Sequence, residues 1–268
     1  MRYTVLTLFP EITDAFFGTS IMAKAIARGI IDYRAINIRD FAFDRHKTCD
    51  DAPYGGGPGM LMLPEPLGRA LEAAGVRKKA AGEPDPGIKP RAIYLSPSGR
   101  PFDQALACEL AGERELVLLC GRYEGIDQRV VDLYIDDEVS VGDYVLSSGE
   151  VAALAIADAT YRLIGKVITP ESLDEESFSG GLLEYPQYTR PEIYDTIGVP
   201  DVLISGHHAK IRRWRLERRV EKTLRNRPDL ILRGRESGLF DGETNDIIDR
   251  LLPAEGIVAE GDTKDERD

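Results

Sequence analysis

The sequence predicts an α/β domain with a mostly parallel sheet, followed by a small, mostly helical domain. Short β-rich segments alternate with segments of helical periodicity at the spacing of βαβ units up to about Ile168. From Thr169 the chain becomes polar and acidic and loses both periodicities, which indicates a linker. A strongly basic helical segment follows. We therefore expect four parts, with boundaries at 1–168 (first domain), 169–182 (flexible linker), 183–253 (helical domain) and 254–268 (tail).

Each element of the first domain has its own signal. The β-rich segments 3–8 and 31–38 predict two strands, and the helical pattern of 11–29 between them stops at Gly29. Buried-strand composition and helical periodicity then alternate. The further predicted strands are 91–96, 115–121 and 137–141, and the further predicted helices are 65–75, 101–110, 126–135, 149–165, 207–227 and 243–252.

Composition indicates a globular chain that stays in the cytoplasm. Of the 268 residues, 43% are hydrophobic and 30% are charged, and no apolar run approaches the roughly 20 residues that span a bilayer, which argues against a membrane role. The segment MRYTVLTLFPEIT reads as a first strand rather than a signal peptide. Cys49, Cys108 and Cys120 are widely spaced, which favours reduced thiols over disulfides or a zinc site.

The charge is unevenly distributed along the chain. The net charge is −12, yet residues 207–227 hold nine Lys or Arg against two Glu. The segment from Ala254 carries six acidic residues against two basic ones and is expected to be disordered. Because phosphate binding depends on a local basic face, the helix 207–227 is compatible with a nucleic-acid partner despite the net charge. A solvated basic face of a helical bundle is the alternative.

The glycine run PYGGGPGM, residues 53–60, does not fit either common phosphate-binding motif. A Walker loop has Gly-Lys-Ser/Thr opening a helix, whereas Pro58 interrupts this run and apolar residues follow it. A dinucleotide fingerprint has an acidic residue about 20 positions later at the end of a second strand, and this chain has none there. The run is interpreted as a mobile loop or as a lid over a ligand.

Three other loops each leave the C-terminal end of a predicted strand. They are YLSPSGRP (94–101), CGRYEGID (120–127) and SVGDYVLSSGE (140–150). Ligands of α/β sheets bind beyond those strand ends, and glycines allow the backbone to approach a flat ligand closely. The third loop has no Lys or Arg, which disfavours a triphosphate and favours a heterocyclic ligand. Three tight turns without a ligand are the alternative.

Several long segments resemble the bacterial tRNA (guanine-N1)-methyltransferase family. They are LCGRYEGIDQRV, SVGDYVLSSGE and GLLEYPQYTRPEIYDTIGVPDVLISGHHAKIRRWRLE, and PYGGGPGM also matches. The similarity runs from Arg2 to about residue 250, with the motifs in one order. It implies the SPOUT methyltransferase fold with a deep C-terminal trefoil knot, which general rules of chain topology would not have predicted.

The resemblance also implies a cofactor and its binding positions. In this family the three loops cradle S-adenosylmethionine, a ligand without phosphate groups, which suits small and apolar side chains. Whether Mg²⁺ assists is left open, and no metal-ligand set is expected. The implied cofactor-binding residues are Tyr94, Leu95, Ser96, Pro97, Gly99, Gly121, Val141, Gly142, Asp143, Tyr144, Val145 and Leu146.

The family's catalytic residues match this chain with one difference. Methylation of guanine N1 requires a base to remove its proton and a cation near O6. The cation matches Arg162, and Glu124 is implied to orient the guanine or the cofactor, with an ion pair to Arg122 or Arg129 as the alternative. The family's base is an Asp in a D-S-F motif, and this chain has Glu176 at that position. The linker of this chain is one residue shorter than that of the family. We expect Glu176 to be the base, with Asp174 in reserve.

The implied substrate is the guanosine at tRNA position 37, just 3′ of the anticodon. Family members are homodimers whose active site is shared between subunits, and they bind the anticodon stem-loop. Periodicity predicts that Trp214 belongs to the helical core. The RNA-binding candidates are Ser205, His208, Lys210, Arg212, Arg213 and Arg215.

Two other functions remain open at the level of sequence. The chain is alternatively a non-catalytic RNA-binding module on the same scaffold, which the unusual Glu176 favours. A SPOUT enzyme acting on ribosomal RNA is the other alternative, although it leaves the segments TRPEIYDTIGVP and SGHHAKIRRWR unexplained.

Overall fold

The computed structural model describes residues 1–79, 89–165, 167 and 176–252. The chain divides into two compact units, Met1–Thr169 and Pro170–Asp268. Most of the predicted loop 77–90, the first half of the predicted linker and the acidic tail lie outside the described residues.

A five-stranded sheet forms the centre of the first unit. All of its pairs are parallel, in the order β2-β1-β6-β5-β7, and the short β3 and β4 pair separately as an antiparallel ladder. The predicted parallel sheet is therefore confirmed. The strands are β1 (Arg2–Thr7), β2 (Asp32–Asn37), β3 (Asp50–Asp51), β4 (Leu61–Met62), β5 (Arg91–Pro101), β6 (Glu115–Cys120) and β7 (Asp137–Ser140).

Helices cover both faces of this sheet. Successive residues of β6 alternate between two cores, since Leu116 and Leu118 join one cluster while Val117 and Leu119 join the other. A strand buried on both faces is a continuous apolar run, which explains the segment ELVLLC. α1, α2, α4 and α6 pack on the first face, and α3 and α5 on the second. The helices are α1 (Pro10–Phe17), α2 (Ser20–Ala27), α3 (Pro64–Ala73), α4 (Gln104–Ala111), α5 (Gln128–Tyr134) and α6 (Gly149–Tyr161).

The single helix predicted over 11–29 is wrong, because two helices occupy this segment. α1 ends at Phe17, where the Gly18 N–H donates to the Asp14 carbonyl at 2.9 Å. The Thr19 hydroxyl then donates to the Ala15 carbonyl, and Ser20 begins α2 with a φ of 55°. Ser and Thr hydroxyls compete with the helical hydrogen-bond ladder, so Gly-Thr-Ser interrupts the helix although the apolar pattern continues across it.

A four-residue excursion interrupts the pairing of β5 with β7. Val139 of β7 pairs with both Leu95 and Arg100, so residues 96–99 bulge out of the ladder. Gly99 closes the excursion against the backbone of β7, where an added Cβ would lie 2.3 Å from the Val139 nitrogen. The absence of a side chain at Gly99 therefore allows the strand to rejoin the sheet.

The second unit is a helical cluster with one hairpin. Its strands β8 (Ile193–Tyr194) and β9 (Ile197–Gly198) are antiparallel, and Val220, Leu224 and Ile248 are central to its core. Leu182, which the sequence analysis assigned to the linker, is buried in this core. The helices are α7 (Asp201–Ile204), α8 (His208–Asn226), α9 (Pro228–Glu236) and α10 (Gly242–Leu251).

Sequence patterning missed α9 because a glycine lies inside it. An added Cβ on Gly234 would lie 2.2 Å from the Phe240 ring, so this glycine permits close packing between α9 and the segment that follows it. Pro228 at the first turn was the available start signal.

Replacing Gly99 with Ala should destabilise the first unit by about 1–3 kcal/mol, because the added methyl group meets backbone that cannot move aside like a side chain. Thermal unfolding should therefore occur at a lower midpoint than in the unmodified chain. Gly165→Ala is the matched control, since an added Cβ there meets no atom of the described residues within 4 Å. Equal midpoints for the two variants would contradict the packing role of Gly99.

Candidate functional site

A cavity of about 310 Å³ lies at the C-terminal ends of three neighbouring strands, β6, β5 and β7. The three loops that the sequence analysis singled out form its walls, because the strand order brings their starting points together. The lining residues are Tyr94, Leu95, Ser96, Pro97, Ser98, Gly121, Arg122, Tyr123, Glu124, Gly125, Val139, Ser140, Val141, Gly142, Tyr144, Val145, Leu146, Ser147, Ser148, Gly149 and Ala152.

The N-terminus of α6 is fixed directly on the end of β6. The Gly149 N–H donates to the Gly121 carbonyl at 2.9 Å. An added Cβ on Gly149 would lie 2.7 Å from the Cys120 Cα, so only glycine permits this approach. The contact joins the second and third loops into one wall.

Tyr94 forms the floor between the loops. An added Cβ on Gly121 would meet the Tyr94 ring at 3.0 Å, so the glycine keeps space above the ring. Burial, with the charge of Glu138 as the second cause, raises the pKa of Tyr94 to about 12. The hydroxyl therefore stays protonated at neutral pH.

The third loop combines internal hydrogen bonds with exposed apolar side chains. The Ser140 hydroxyl donates to the Gly142 carbonyl at 3.0 Å, and the Tyr144 hydroxyl donates to the Val141 carbonyl at 3.2 Å. Gly142 has a φ of 154° and its Cα lies against the Tyr144 ring. Val145 is 85% exposed, which is unusual for an aliphatic side chain on a cavity wall.

The glycine run 53–60 is attached to the second loop at one end only. The Glu124 N–H donates to the Met60 carbonyl at 3.1 Å, and an added Cβ on Gly59 would lie 2.2 Å from the Glu124 Cγ. At the other end Tyr54 is fully exposed. Thus Gly59 packs over a cavity-lining carboxylate, while the remainder of the run projects outward.

Ten of the twelve predicted cofactor-binding residues line the cavity, and two do not. Gly99 packs against β7, as described above, and Asp143 is absent from the lining. Glu124, predicted as a catalytic residue, does line it. Neither expected ion pair of Glu124 forms, since Arg122 pairs with Glu150 at 3.4 Å and Arg129 with Asp127 at 2.6 Å.

Sequence reasoning missed Arg122 and Tyr123 as lining residues, and it missed Glu150 altogether as a buried charge. Tyr123 is half-exposed and has a φ of 59°, a conformation that side chains rarely adopt outside functional sites and turns. Glu150 has no exposed surface. Its signal in the sequence was a carboxylate at the start of an otherwise apolar helix, GEVAALAIA.

The two predicted partners in proton transfer belong to different units. Arg162 is half-buried in the first unit and directly follows α6, and Glu176 is half-buried in the second. The residues after Glu176 are anchored locally, since the Phe178 N–H donates to the Leu182 carbonyl at 2.8 Å. Asp174, the reserve candidate, lies outside the described residues.

The predicted RNA-binding residues gather at the start of α8. The Ser205 hydroxyl donates to the Val202 carbonyl at 2.7 Å, and His208 begins the helix. Arg212 and Arg213 are more than 60% exposed and pair with Glu243 and Glu217, whereas Arg215 lies 4.8 Å from the Tyr185 ring centre. The remaining candidate, Lys210, is exposed.

Trp214 does not occupy the core as periodicity predicted. It is half-buried beside Tyr188, with a ring-centroid distance of 6.4 Å, and is not among the residues of the helical core. Val220 and Leu224 of the same helix are in that core.

Three further observations bear on the expected chemistry. Among the described residues no helix has the length and apolar character to cross a bilayer. Within residues 1–79, 89–165, 167 and 176–252 no three His, Cys, Asp or Glu side chains form a group that could hold a metal ion. Cys49 and Cys120 are buried free thiols and Cys108 is exposed; burial raises the pKa of Cys120 well above its usual value.

Comparison with known proteins gives a consistent family assignment. Residues 1–233 match the family described as tRNA (Guanine-1)-methyltransferase TrmD. A tRNA (guanine-N(1)-)-methyltransferase of Treponema denticola is 59% identical over 248 residues, covering 92% of this chain and 98% of that protein. The proteins of that name from Treponema pallidum and Borreliella burgdorferi are 55% and 54% identical, covering 94% and 87% of this chain and 96% and 94% of their own. The chain therefore belongs to the tRNA (guanine-1)-methyltransferase TrmD family.

Proposed function

We propose that this protein transfers a methyl group from S-adenosylmethionine to N1 of the guanosine at tRNA position 37, just 3′ of the anticodon. The observation that carries the proposal is the cation-poor cavity at the ends of β6, β5 and β7, in a chain that belongs to the TrmD family. A tRNA substrate makes the cytoplasm the expected site of action.

The cavity fits a flat ligand without phosphates. Gly121 and Gly149 let backbone groups approach the ligand, and Tyr94 and Leu95 supply an apolar surface. One cation, Arg122, is among the lining residues. We assign cofactor binding to the ten predicted residues that line the cavity, whereas Gly99 packs against β7 and Asp143 is not assigned a role. S-adenosylmethionine, when bound, supplies an activated methyl group.

We also propose that the first unit contains the trefoil knot of the SPOUT fold. Two features support this proposal. In the sheet β5 lies between β6 and β7. The chain that leaves β7 must therefore pass β5 again to reach β6. α6 makes that return, because Gly149 is hydrogen-bonded to Gly121 and the helix contacts β6, β5 and β1.

The proposed chemistry uses two groups of opposite charge. The carboxylate of Glu176 accepts the N1 proton of guanine, and the guanidinium of Arg162 stabilises the negative charge that develops on O6. Glu124 orients the guanine or the cofactor from the cavity wall. Glu176 carries the carboxylate on one methylene more than the family's Asp, which partly offsets a linker that is one residue shorter.

The position of Arg162 supports a homodimer with shared active sites. The cavity is lined by Ser148, which precedes α6, and by Gly149 and Ala152 at the start of the helix, whereas Arg162 directly follows its last turn. At 1.5 Å per residue the two ends of this helix are about 20 Å apart, which is too far for one guanidinium to act at the cavity of its own chain. We propose that it acts at the cavity of the partner subunit.

The second unit supplies the proposed tRNA-binding surface. The first two turns of α8 present Arg212 and Arg213 to solvent, and Ser205 and His208 lie at the start of the helix. Guanidinium groups suit phosphate oxygens of the anticodon stem, which position the RNA without reading its sequence. We keep 183–253 as the RNA-binding part of this division, and Leu182, the last residue of the predicted linker 169–182, packs in the core of the same unit.

The proposed function is tested with tritium-labelled S-adenosylmethionine and tRNA transcripts that differ only at position 37. Label should enter the transcript with guanosine and not the one with adenosine. RNA binding without label transfer would identify a non-catalytic module, and transfer to ribosomal RNA alone would identify the other SPOUT activity.

Glu176→Gln should lower the rate of methyl transfer by about 100- to 10,000-fold, because glutamine does not accept the N1 proton. The affinity for the cofactor should not change. Glu176→Asp, which restores the family's residue, is the matched variant and should keep most of the activity in single-turnover assays. Full activity of Glu176→Gln would transfer the role of base to Asp174.

Mixed dimers should recover activity that neither parent has. Arg162→Ala removes the cation, and Gly121→Val fills the cavity above Tyr94. If each site combines the cavity of one subunit with Arg162 of the other, a random mixture of co-expressed chains should show about a quarter of full activity, since half the dimers have one intact site. Recovery no greater than the sum of the parents would contradict shared sites.

Arg213→Ala should weaken tRNA binding and reduce the slope of log affinity against log salt concentration by about 1, as expected for one lost phosphate contact. Arg225→Ala is a closely matched control on the same helix. The two side chains are 63% and 61% exposed, and each lies 3.4 Å from a glutamate four residues away. Equal effects of the two substitutions would show that the start of α8 has no special role.

A further inference from the structure

Four residues of the first unit form a closed ring of contacts beside the cavity, and none of them belongs to the predicted site. The Phe9 N–H donates to Thr7 Oγ1 at 2.9 Å, and the Thr7 hydroxyl donates to Glu150 Oε1 at 2.6 Å. Glu150 Oε2 lies 3.4 Å from Arg122 Nε. The guanidinium carbon of Arg122 lies 4.3 Å from the centre of the Phe9 ring, which completes the ring of contacts.

Glu150 is a buried charge that needs compensation. The residue has no exposed surface, and burying a carboxylate costs several kcal/mol unless partners replace its water. One oxygen accepts the Thr7 hydroxyl, and the other faces Arg122. The first turn of α6 adds the favourable field of a helix N-terminus. A buried carboxylate held this way is well placed to fix the position of the cation beside it.

Arg122 is held without using up its hydrogen-bonding capacity. Its Nε is inaccessible and faces Glu150 without an aligned hydrogen bond, yet 24% of the side chain is exposed. Within the described part of the chain, no protein acceptor takes a hydrogen bond from its terminal nitrogens. A guanidinium needs two parallel N–H groups to bind a carboxylate in the bidentate manner, and these two groups remain for a ligand.

Among the residues that line the cavity, Arg122 is the one cationic side chain. A ligand with one carboxylate in this cavity therefore has one strong charged partner. The other polar groups on the walls are hydroxyls, backbone groups and the carboxylate of Glu124, which repels a ligand carboxylate. We propose that Arg122 binds the α-carboxylate of S-adenosylmethionine and that Glu150 is the residue that positions Arg122 for this contact. The inference rests on the proposed cofactor.

The assignment explains why the pair lies at the junction of three segments. Thr7 ends β1, Arg122 follows β6, and Glu150 lies in the first turn of α6. Since Gly149 is fixed on Gly121, the carboxylate and the guanidinium are fixed relative to the same wall. Stacking on Phe9 further limits the rotation of the guanidinium. A cation fixed on several sides loses little entropy when it binds an anion.

The proposal is tested by comparing the binding of S-adenosylmethionine with that of its decarboxylated analogue, by titration calorimetry without tRNA. The full-length chain should prefer the carboxylate form by about 10- to 100-fold, the range expected for a charge-assisted pair. Arg122→Gln should bring the ratio of the two dissociation constants close to one, mainly by weakening the carboxylate form. Arg122→Lys keeps the positive charge but lacks the two parallel N–H groups, so it should give an intermediate ratio.

Glu150→Gln separates positioning from simple structural support. If Glu150 positions Arg122, the ratio should fall several-fold; if it only stabilises the fold, the unfolding midpoint should fall while the ratio stays unchanged. The ratio is measured within one preparation, so it does not depend on the folded fraction. Arg129→Gln is the control, because Arg129 follows the same loop, pairs with Asp127 and does not line the cavity. It should keep the ratio of the unmodified chain.

Each other outcome has one meaning. An unchanged ratio in Arg122→Gln overturns the carboxylate contact, and an unchanged ratio in Glu150→Gln overturns its positioning role. If the unmodified chain binds S-adenosylmethionine but shows no methyl transfer, the proposed catalytic function is contradicted. The inference about Arg122 is then still decided by the ratio of the two dissociation constants. If the unmodified chain binds neither compound, both the cofactor assignment and the inference are overturned.

Discussion

The cavity depends on one backbone contact, the approach of Gly149 to the end of β6. Its N–H reaches the Gly121 carbonyl at 2.9 Å, and any side chain at this position would meet the Cys120 backbone. The contact starts α6 at the rim of the sheet and closes the third loop over the second. A displacement of α6 by the width of one methyl group would separate the Glu150 carboxylate from Arg122 and open the wall. The geometry of the whole site is thus set by glycines rather than by large side chains.

The electrostatics of the cavity follow from the same arrangement. A site built from backbone groups, hydroxyls and aliphatic side chains has little positive charge to compensate the phosphates of a nucleotide. Among the described residues that line the cavity, Arg122 carries the one guanidinium, and the buried carboxylate of Glu150 beside it balances this charge. If Arg122 binds the cofactor carboxylate as proposed, selectivity comes from the direction of its two terminal N–H groups rather than from the amount of charge.

Sequence patterning predicted most helices and strands, because each is a local property of periodicity and caps. It could not give the strand order β2-β1-β6-β5-β7, which decides that three separate loops share one cavity. The resemblance supplied the cofactor-loop residues, and ten of twelve line the cavity. Gly99 illustrates the limit, since a glycine that admits a ligand and one that admits a neighbouring strand look the same in a sequence. Glu150 was missed because burial, not residue type, makes it notable. The helix break at Gly18 was missed because an apolar pattern can continue across an interrupted backbone.

The remaining question is how a base on a linker is positioned accurately enough for proton transfer. The segment after Glu176 is not a free linker, because Leu182 is buried in the core of the second unit and the Glu184 N–H donates to the Ser177 hydroxyl at 3.1 Å. Phe178 has a φ of 73°, so the chain turns sharply just after the proposed base. Glu176 therefore belongs to the second unit, which carries the proposed RNA-binding surface, and not to the first unit, which carries the cavity. On the proposed function, the second unit therefore carries both the base and the surface that binds the tRNA.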